Sequence, residues 1–303
     1  MSVISAGLLQ MDPSQFQTVR DYQVSVAARI SSLVRKGAEF VVLPEFAAMI
    51  GASLEYSPSD APDIAELSRA VGRAGFDRAM DFFAAVALAN HIHLCPGTFL
   101  VSRTDGFANL APILSPSGDL VAVQGQTHVS EREHGLRFLC STDLTIVDVR
   151  GHRIGFAVGT DAWYPEVSRI LALMGADTIV APTAVPAPYT VWHQTRGLWQ
   201  AVQQNQVFGI EVCLGGSWLG RTYQGRSRVF APVEVTPEGR GILSEVASGS
   251  IWGELVLALD TSRLDAARRA FPVFDHLNTE MYERSLPDAY LVARSVRVAP
   301  ERR

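Results

Sequence analysis

Apolar runs of β type alternate with stretches of helical periodicity along almost the whole chain, and this alternation limits the fold more than any other feature. VISAGLL (3–9) reads as a buried strand. From Phe16 to Val34, apolar residues at 16, 19, 26, 30, 33 and 34 mark one helix face. EFVVLP (39–44) reads as a second strand that stops at Pro44. Residues 63–90 carry a long helical pattern with Gly72 and Gly75 inside it, which predicts one helix or two. HIHLCPGTFL (91–100) is strand-like, and 109–123 reads as a hairpin turning at Ser115-Pro116-Ser117-Gly118. A second hairpin joins LTIVDV (144–149) to RIGFAV (153–158). A helix starts at Pro165, where proline suits the first turn. A strand at 178–182, a helix near 191–205 and strands near 207–213, 227–231 and 255–259 complete the pattern. Together, βα units and hairpins predict an α/β fold of mixed sheets covered by helices. Residues 1–275 read as one domain. Residues 276–303 read as a C-terminal extension or tail that packs on a partner subunit or stays loose.

Composition narrows the function. With 303 residues, 48% hydrophobic and 19% charged, the chain is an ordinary soluble protein with a sizeable core. Its net charge of −5 leaves no basic footprint for nucleic acid. There is no run of 18 apolar residues and no basic N-terminal region, so neither a membrane span nor a signal peptide is expected. Cys95, Cys140 and Cys213 are too few and too scattered for a disulfide framework, and a cytoplasmic protein is expected. Lys36 is the only lysine, so any chemistry that needs one has a single candidate.

The stretch AVGTDAWYPE (157–166) has a distinctive shape. A short apolar run meets Gly159, an acidic residue, an aromatic pair and a Pro-Glu that opens a helix. Strand-to-helix turns of this form often present a nucleophile, but here the apex is glycine. There is no phosphate-binding glycine loop, and no cofactor is expected. In HIHLC, alternation would place His91, His93 and Cys95 on one strand face. No fourth ligand is evident, so no metal is expected.

In order and spacing, several segments resemble the nitrilase, or carbon-nitrogen hydrolase, superfamily. They are VVLPEF (41–46), GTF (97–99) with GFANLAPILSPSGDLV (106–121), RIGFAVGTDAWYPEVSRILALMGADTIVAPTA (153–184), QAVQQNQVFGIEV (200–212) and GRSRVFAP (225–232). The resemblance implies an αββα sandwich that dimerises into four layers. It also implies a Glu-Lys-Cys triad in which the thiol attacks an amide or nitrile carbon. On this chain Glu45 matches the glutamate. The lysine position falls to Gln126, or next to Gln124, and the cysteine position to Gly159. Gln204 stands where the family usually has a glutamate. No cysteine lies between 141 and 212, so thiol catalysis at this turn is excluded.

Glu45, at the end of a buried strand and without its lysine, should be poorly solvated and unpaired, with a raised pKa suited to acid-base work. The alternative is an inert carboxylate satisfied by backbone N–H groups or an arginine. Glu133, with Glu131 next, matches a second pocket glutamate, and His128 lies beside them; the alternative is a solvated charged loop. Asp161 and Pro165 read as structural turn residues. Thr160 is a pocket-lining candidate that offers a hydroxyl beside the vacated apex; as a nucleophile it would need a base within reach, and its side chain should project away from the pocket. His193, beside Trp192 and Tyr189, is a candidate for the pocket mouth. Gly159 enlarges the pocket and leaves its turn's N–H groups available to an anion. These residues predict a small-molecule pocket, and the resemblance implies a homodimer. The protein is then a repurposed enzyme using Glu45 for non-covalent acid-base chemistry, a catalytically dead binding or assembly partner, or a hydrolase with a non-cysteine mechanism.

Overall fold

The computed structural model describes residues 2–56, 63–188, 190–223, 225–247, 250 and 252–298. Strand β1 (Val3–Gln10) leads into α1 (Val19–Arg35), whose N-cap Thr18 accepts a hydrogen bond from the Asp21 N–H. Then come β2 (Phe40–Val42), α2 (Ala47–Ser53) and α3 (Ile64–Asn90). Gly72, at φ 57°, breaks α3 into two helical pieces, one of the two outcomes its glycines allowed. Next are β3 (His93–Cys95), β4 (Phe99–Arg103), β5 (Gly106–Leu114), β6 (Leu120–Gly125) and α4 (Glu131–Gly135). The strand-like run at 91–100 is therefore two strands. Its His91 is not on either of them: it caps α3 in the left-handed conformation, so it shares no strand face with His93 and Cys95.

The second half begins with β7 (Ile146–Val149), β8 (His152–Phe156) and α5 (Pro165–Leu173), with Pro165 in the first turn as expected. It continues with β9 (Thr178–Thr183), α6 (Val191–Arg196) and α7 (Leu198–Asn205), which divide at Gly197. After these come β10 (Phe208–Cys213), the hairpin β11 (Gly216–Trp218) and β12 (Arg221–Tyr223), β13 (Arg228–Phe230), β14 (Ile242–Glu245) and β15 (Gly253–Asp260). The chain closes with α8 (Thr261–Ala270) and α9 (Thr279–Val298).

The strands form two mixed sheets. One runs β15-β1-β2-β3-β5-β4 with β6 on β5, the other β14-β13-β10-β9-β8-β7. In each, a parallel centre (β1-β2-β3; β8-β9-β10) is flanked by antiparallel strands. Side-chain alternation builds the layers. Ile4, Ala6, Leu8, Phe40 and Val42 of the first sheet meet Ile154, Phe156, Val180 and Ile210 of the second in one buried core. The intervening residues face the other way. Leu9, Val41 and Leu43 pack under α1, α2 and α3, and Ile179 and Ala181 pack under α5 and α7. The result is an αββα sandwich.

The segment read as a tail is helical over Thr279–Val298. α9 is anchored by the Tyr290 hydroxyl, which donates to Glu166 Oε1 at 2.9 Å, while Leu291 and Val292 stay exposed. Residues 299–303 lie outside the described residues. Among the described residues no helix is long and apolar enough to cross a membrane.

Candidate functional site

The C-terminal ends of both parallel centres open on one rim, where crossovers leave a cleft in sheets of this kind. Glu45 follows β2, Gly159 follows β8, and Thr183 and Ala184 end β9. They border a cavity of about 280 Å³. Glu133 and Thr160 share its polar floor with Glu45. Phe46, Phe138, Trp163, Trp218, Leu219 and Tyr223 supply apolar walls, and Arg132 and Arg221 supply two cations.

Glu45 is held in an over-determined corner. The next residue, Phe46, sits at φ 63°, a left-handed conformation costly for a bulky side chain and typical of constrained sites. The Phe46 N–H donates to Thr98 Oγ1 at 2.9 Å, which fixes the turn. The Glu45 side chain is 4% exposed. Burial pushes its carboxyl well above the usual carboxylate range, and the negative charge of Glu133 adds to the rise. Hydrogen bonds from Asn109 and from the Ala184 backbone only partly oppose it. Glu45 is therefore not unpaired, as the missing lysine led us to expect: Asn109 Nδ2 donates to its Oε1 at 2.8 Å.

Asn109 begins a chain of polar contacts. The same Nδ2 donates to Gln126 Oε1 at 2.8 Å. Gln126 Nε2 then donates to the His128 carbonyl at 2.8 Å, to Thr160 Oγ1 at 3.2 Å and to Glu133 Oε2 at 3.3 Å. Of the two glutamines, Gln126 thus joins the Glu45 cluster. Gln124 turns away to the Gly125 and Asp143 carbonyls and the Thr145 N–H. The two glutamates also separate. Glu131 is exposed, whereas Glu133 closes a capping box with Ser130 at the start of α4 and presents its other side to the cavity. The Thr160 hydroxyl donates to Glu133 Oε2 at 3.1 Å, so this pocket-lining candidate points into the polar cluster and does not project away from it. The 3-10 turn at Gly159–Trp163 reverses the direction that a plain strand end would give it.

Asp161 is fully buried and accepts from the Thr127 N–H (2.9 Å), the Thr127 hydroxyl (2.8 Å) and the His128 N–H (2.7 Å). It ties the turn after β8 to the segment after β6. His128, expected at the pocket wall, stands behind it: its ring stacks on Tyr164 at 3.9 Å and reaches Asp161 at 3.3 Å. His193 borders a shallower outer recess with Trp163, Tyr164, Trp192 and Arg196, which meets the main cavity at Thr160 and Trp163. Tyr189 lies outside the described residues.

Gly159 has φ +54°, and a Cβ built on it would lie 2.5 Å from Glu45 Oε1. The Glu45 carboxyl therefore fills the space a side chain at the turn's apex would need. No cysteine lines the cavity; Cys95 and Cys213 are buried elsewhere and Cys140 is exposed. Lys36 pairs with Glu254 at 2.7 Å across the α1 surface. Among the described residues there is no group of three or more His, Cys, Asp or Glu side chains placed to hold a metal ion.

The sequence reading missed Asn109, Arg132, Arg221 and Tyr223. Only the β11–β12 hairpin had a readable signal, the Leu219-Gly220 pair between two short β-type runs.

The carbon-nitrogen hydrolase family model matches residues 5–236, and the chain belongs to that family. A Pseudomonas sp. (R)-stereoselective amidase is 32% identical over 169 residues, 54% of this chain and 57% of its own length, so the match spans little more than half of that relative. A carbon-nitrogen hydrolase from Helicobacter pylori G27 superposes with TM-score 0.74 at 20% identity, covering 93% of this chain and 97% of the other. A mutant of the amidase from Nesterenkonia sp. AN1, with the acetamide moiety of fluoroacetamide added covalently at its active site cysteine, superposes with TM-score 0.70 at 18% identity. That match covers 90% of this chain and 97% of the amidase.

Proposed function

We propose that this family member carries a degenerate triad, with Glu45 kept, Gln126 in the lysine place and Gly159 in the cysteine place, and that it works on a small molecule by non-covalent acid-base chemistry. The observation that carries the reading is the position of the Glu45 carboxyl at the vacant apex of the Gly159 turn. Whatever enters the cavity meets a buried carboxyl instead of a thiol. With its pKa held above the usual carboxylate range, that carboxyl is placed to act first as a general acid. Proton donation to a leaving or carbonyl group, with water or a group of the substrate itself as nucleophile, covers direct hydrolysis and cyclisation; in dehydration the donated proton leaves with a substrate hydroxyl as water while a second substrate proton passes to a base.

A second reading is a binding or assembly protein without turnover. The hydrogen bonds of Glu45 to Asn109 and Ala184 favour it, because they satisfy the carboxyl in the absence of any ligand. A thermal-shift screen of small amides, carboxylic acids and amines on wild type and Glu45→Gln separates the two. A ligand at a hundred times its Kd adds about 2.7 kcal/mol of stability. A hit that is turned over by the wild type and not by Glu45→Gln supports the first reading. Full turnover by the variant refutes it.

A further inference from the structure

Two guanidinium groups converge on this cavity from separate elements. Arg132 stands in the first turn of α4 and Arg221 opens β12. Among the described residues neither lies within 4.0 Å of an acidic side chain, although Glu45 and Glu133 line the same cavity. They are close enough that the charge of Arg221, added to burial, holds Arg132 below the usual arginine range. Arg132 also hydrogen-bonds Tyr223, two residues along from Arg221. Like charges at one cavity wall repel and lose hydration, and an anion between them removes both costs.

The hairpin that carries Arg221 is built to hold its direction. Leu219 and Gly220 both have positive φ, 49° and 69°, the two-residue turn whose twist matches its strands. Leucine in that conformation is strained, and it lines the cavity. Trp218 packs on Phe46 with ring centroids 5.8 Å apart, and Ala187 donates its N–H to the Thr222 carbonyl at 2.9 Å. The hairpin is thus pinned to the Glu45 corner on one side and to the loop after β9 on the other.

We propose that Arg132 and Arg221 clamp the carboxylate of a small monoanionic substrate whose opposite, uncharged end reaches the Glu45–Gly159 corner. The substrate class is a small carboxylic acid whose far end carries an uncharged polar group able to accept a hydrogen bond from Glu45. The two guanidinium groups share the cavity with the carboxyl groups of Glu45 and Glu133, which suits a single negative charge better than a dianionic phosphate. The planar carboxylate also matches the guanidinium fork. The chemistry at the far end rests on the acid-base reading of Glu45; the clamp itself does not.

The test compares matched probes by calorimetry: glutaramate, the monoamide of glutarate, against the neutral diamide glutaramide. Each is titrated into wild type, Arg132→Gln, Arg221→Gln, the double variant and Glu45→Gln. The expected result is a wild-type preference for glutaramate on the order of tenfold or more, since hydrogen bonds to charged groups exceed neutral ones. Each arginine variant should reduce that preference and the double variant should abolish it, with glutaramate losing more affinity than the diamide. Added salt should weaken only the anionic probe. Equal affinities in wild type, a preference that survives the double variant, or no binding of either probe at millimolar concentration overturns the proposal. Glu45→Gln keeps the preference in either case. If Glu45→Gln also keeps full turnover, the acid-base reading fails and the clamp stands.

Discussion

Replacing Gly159 with alanine adds one methyl group in the most crowded corner of the cavity. Two costs follow. An L-residue at φ +54° loses on the order of 1–2 kcal/mol against glycine. The new Cβ would also stand 2.5, 3.1 and 3.3 Å from Oε1, Cδ and Oε2 of Glu45, so the carboxyl must move. It cannot move without stretching the 2.8 Å bond from Asn109, and a buried polar group left unsatisfied costs about 1–3 kcal/mol. Gly159→Ala should therefore lose about 2–5 kcal/mol in urea denaturation. The second cost vanishes once the carboxyl is gone. In a Glu45→Ala background the same substitution should cost only the backbone share, giving a coupling of about 1–3 kcal/mol between the two sites. Equal costs in the two backgrounds, or a cost near zero in wild type, would refute the claim that the carboxyl occupies the apex. The same geometry explains why Gly159→Cys should not create a thiol amidase: the sulfur would arrive with a displaced Glu45.

Other outcomes follow from the same structure. Folding raises the carboxyl pKa of Glu45 well above 4.5, and that of Glu211, which faces Arg228 across β10 and β13, to about 7. The folded state holds both protons more tightly than the unfolded chain, so their contribution is complete below pH 4.5 and fades as pH rises, through about pH 7 for Glu211. Glu211→Gln should remove on the order of 3 kcal/mol of that pH-dependent loss, and Glu45→Gln should flatten the curve further; identical stability-against-pH curves would contradict both shifts. Thiol labelling of the folded protein should modify Cys140 alone, because burial pushes Cys95 and Cys213 up to about 12, and ligand binding should be unaffected. Rapid labelling of two or three thiols would refute this. Ile170 and Leu173 on α5 and Leu291 and Val292 on α9 expose apolar surface, so the chain should sediment as a dimer. Leu291→Glu with Val292→Glu should shift it to monomer, and a wild-type monomer would remove the argument.

The layers were legible in the sequence because period-2 alternation decides which face of each strand meets the other sheet. Ile4, Ala6 and Leu8 against Leu9 and Met11 is a pattern that needs no tertiary information. Glu45 was legible for a similar reason, as the charge that ends an apolar strand. The selection of Glu133 over Glu131 was also written locally, in the Ser130-x-x-Glu133 capping box. The rest of the site was not. Asn109 sits among β5 residues where alternation predicts only which face it takes, and its contact with Glu45 spans 64 positions. Thr160 turned inward because a 3-10 turn follows β8, a geometry that strand periodicity does not encode. Arg132 and Arg221 come together only after a three-residue-strand hairpin folds over the rim, and such short strands carry too few residues for a periodic signal.

The central claim is a carboxyl held at the apex of the Gly159 turn with its pKa raised by burial. Infrared difference spectroscopy of wild type against Glu45→Gln at neutral pH tests it most directly. We expect a protonated-carboxyl band in the wild type that is missing from the variant and that titrates well above the usual carboxylate range. A carboxyl band that titrates within the usual carboxylate range would contradict the account.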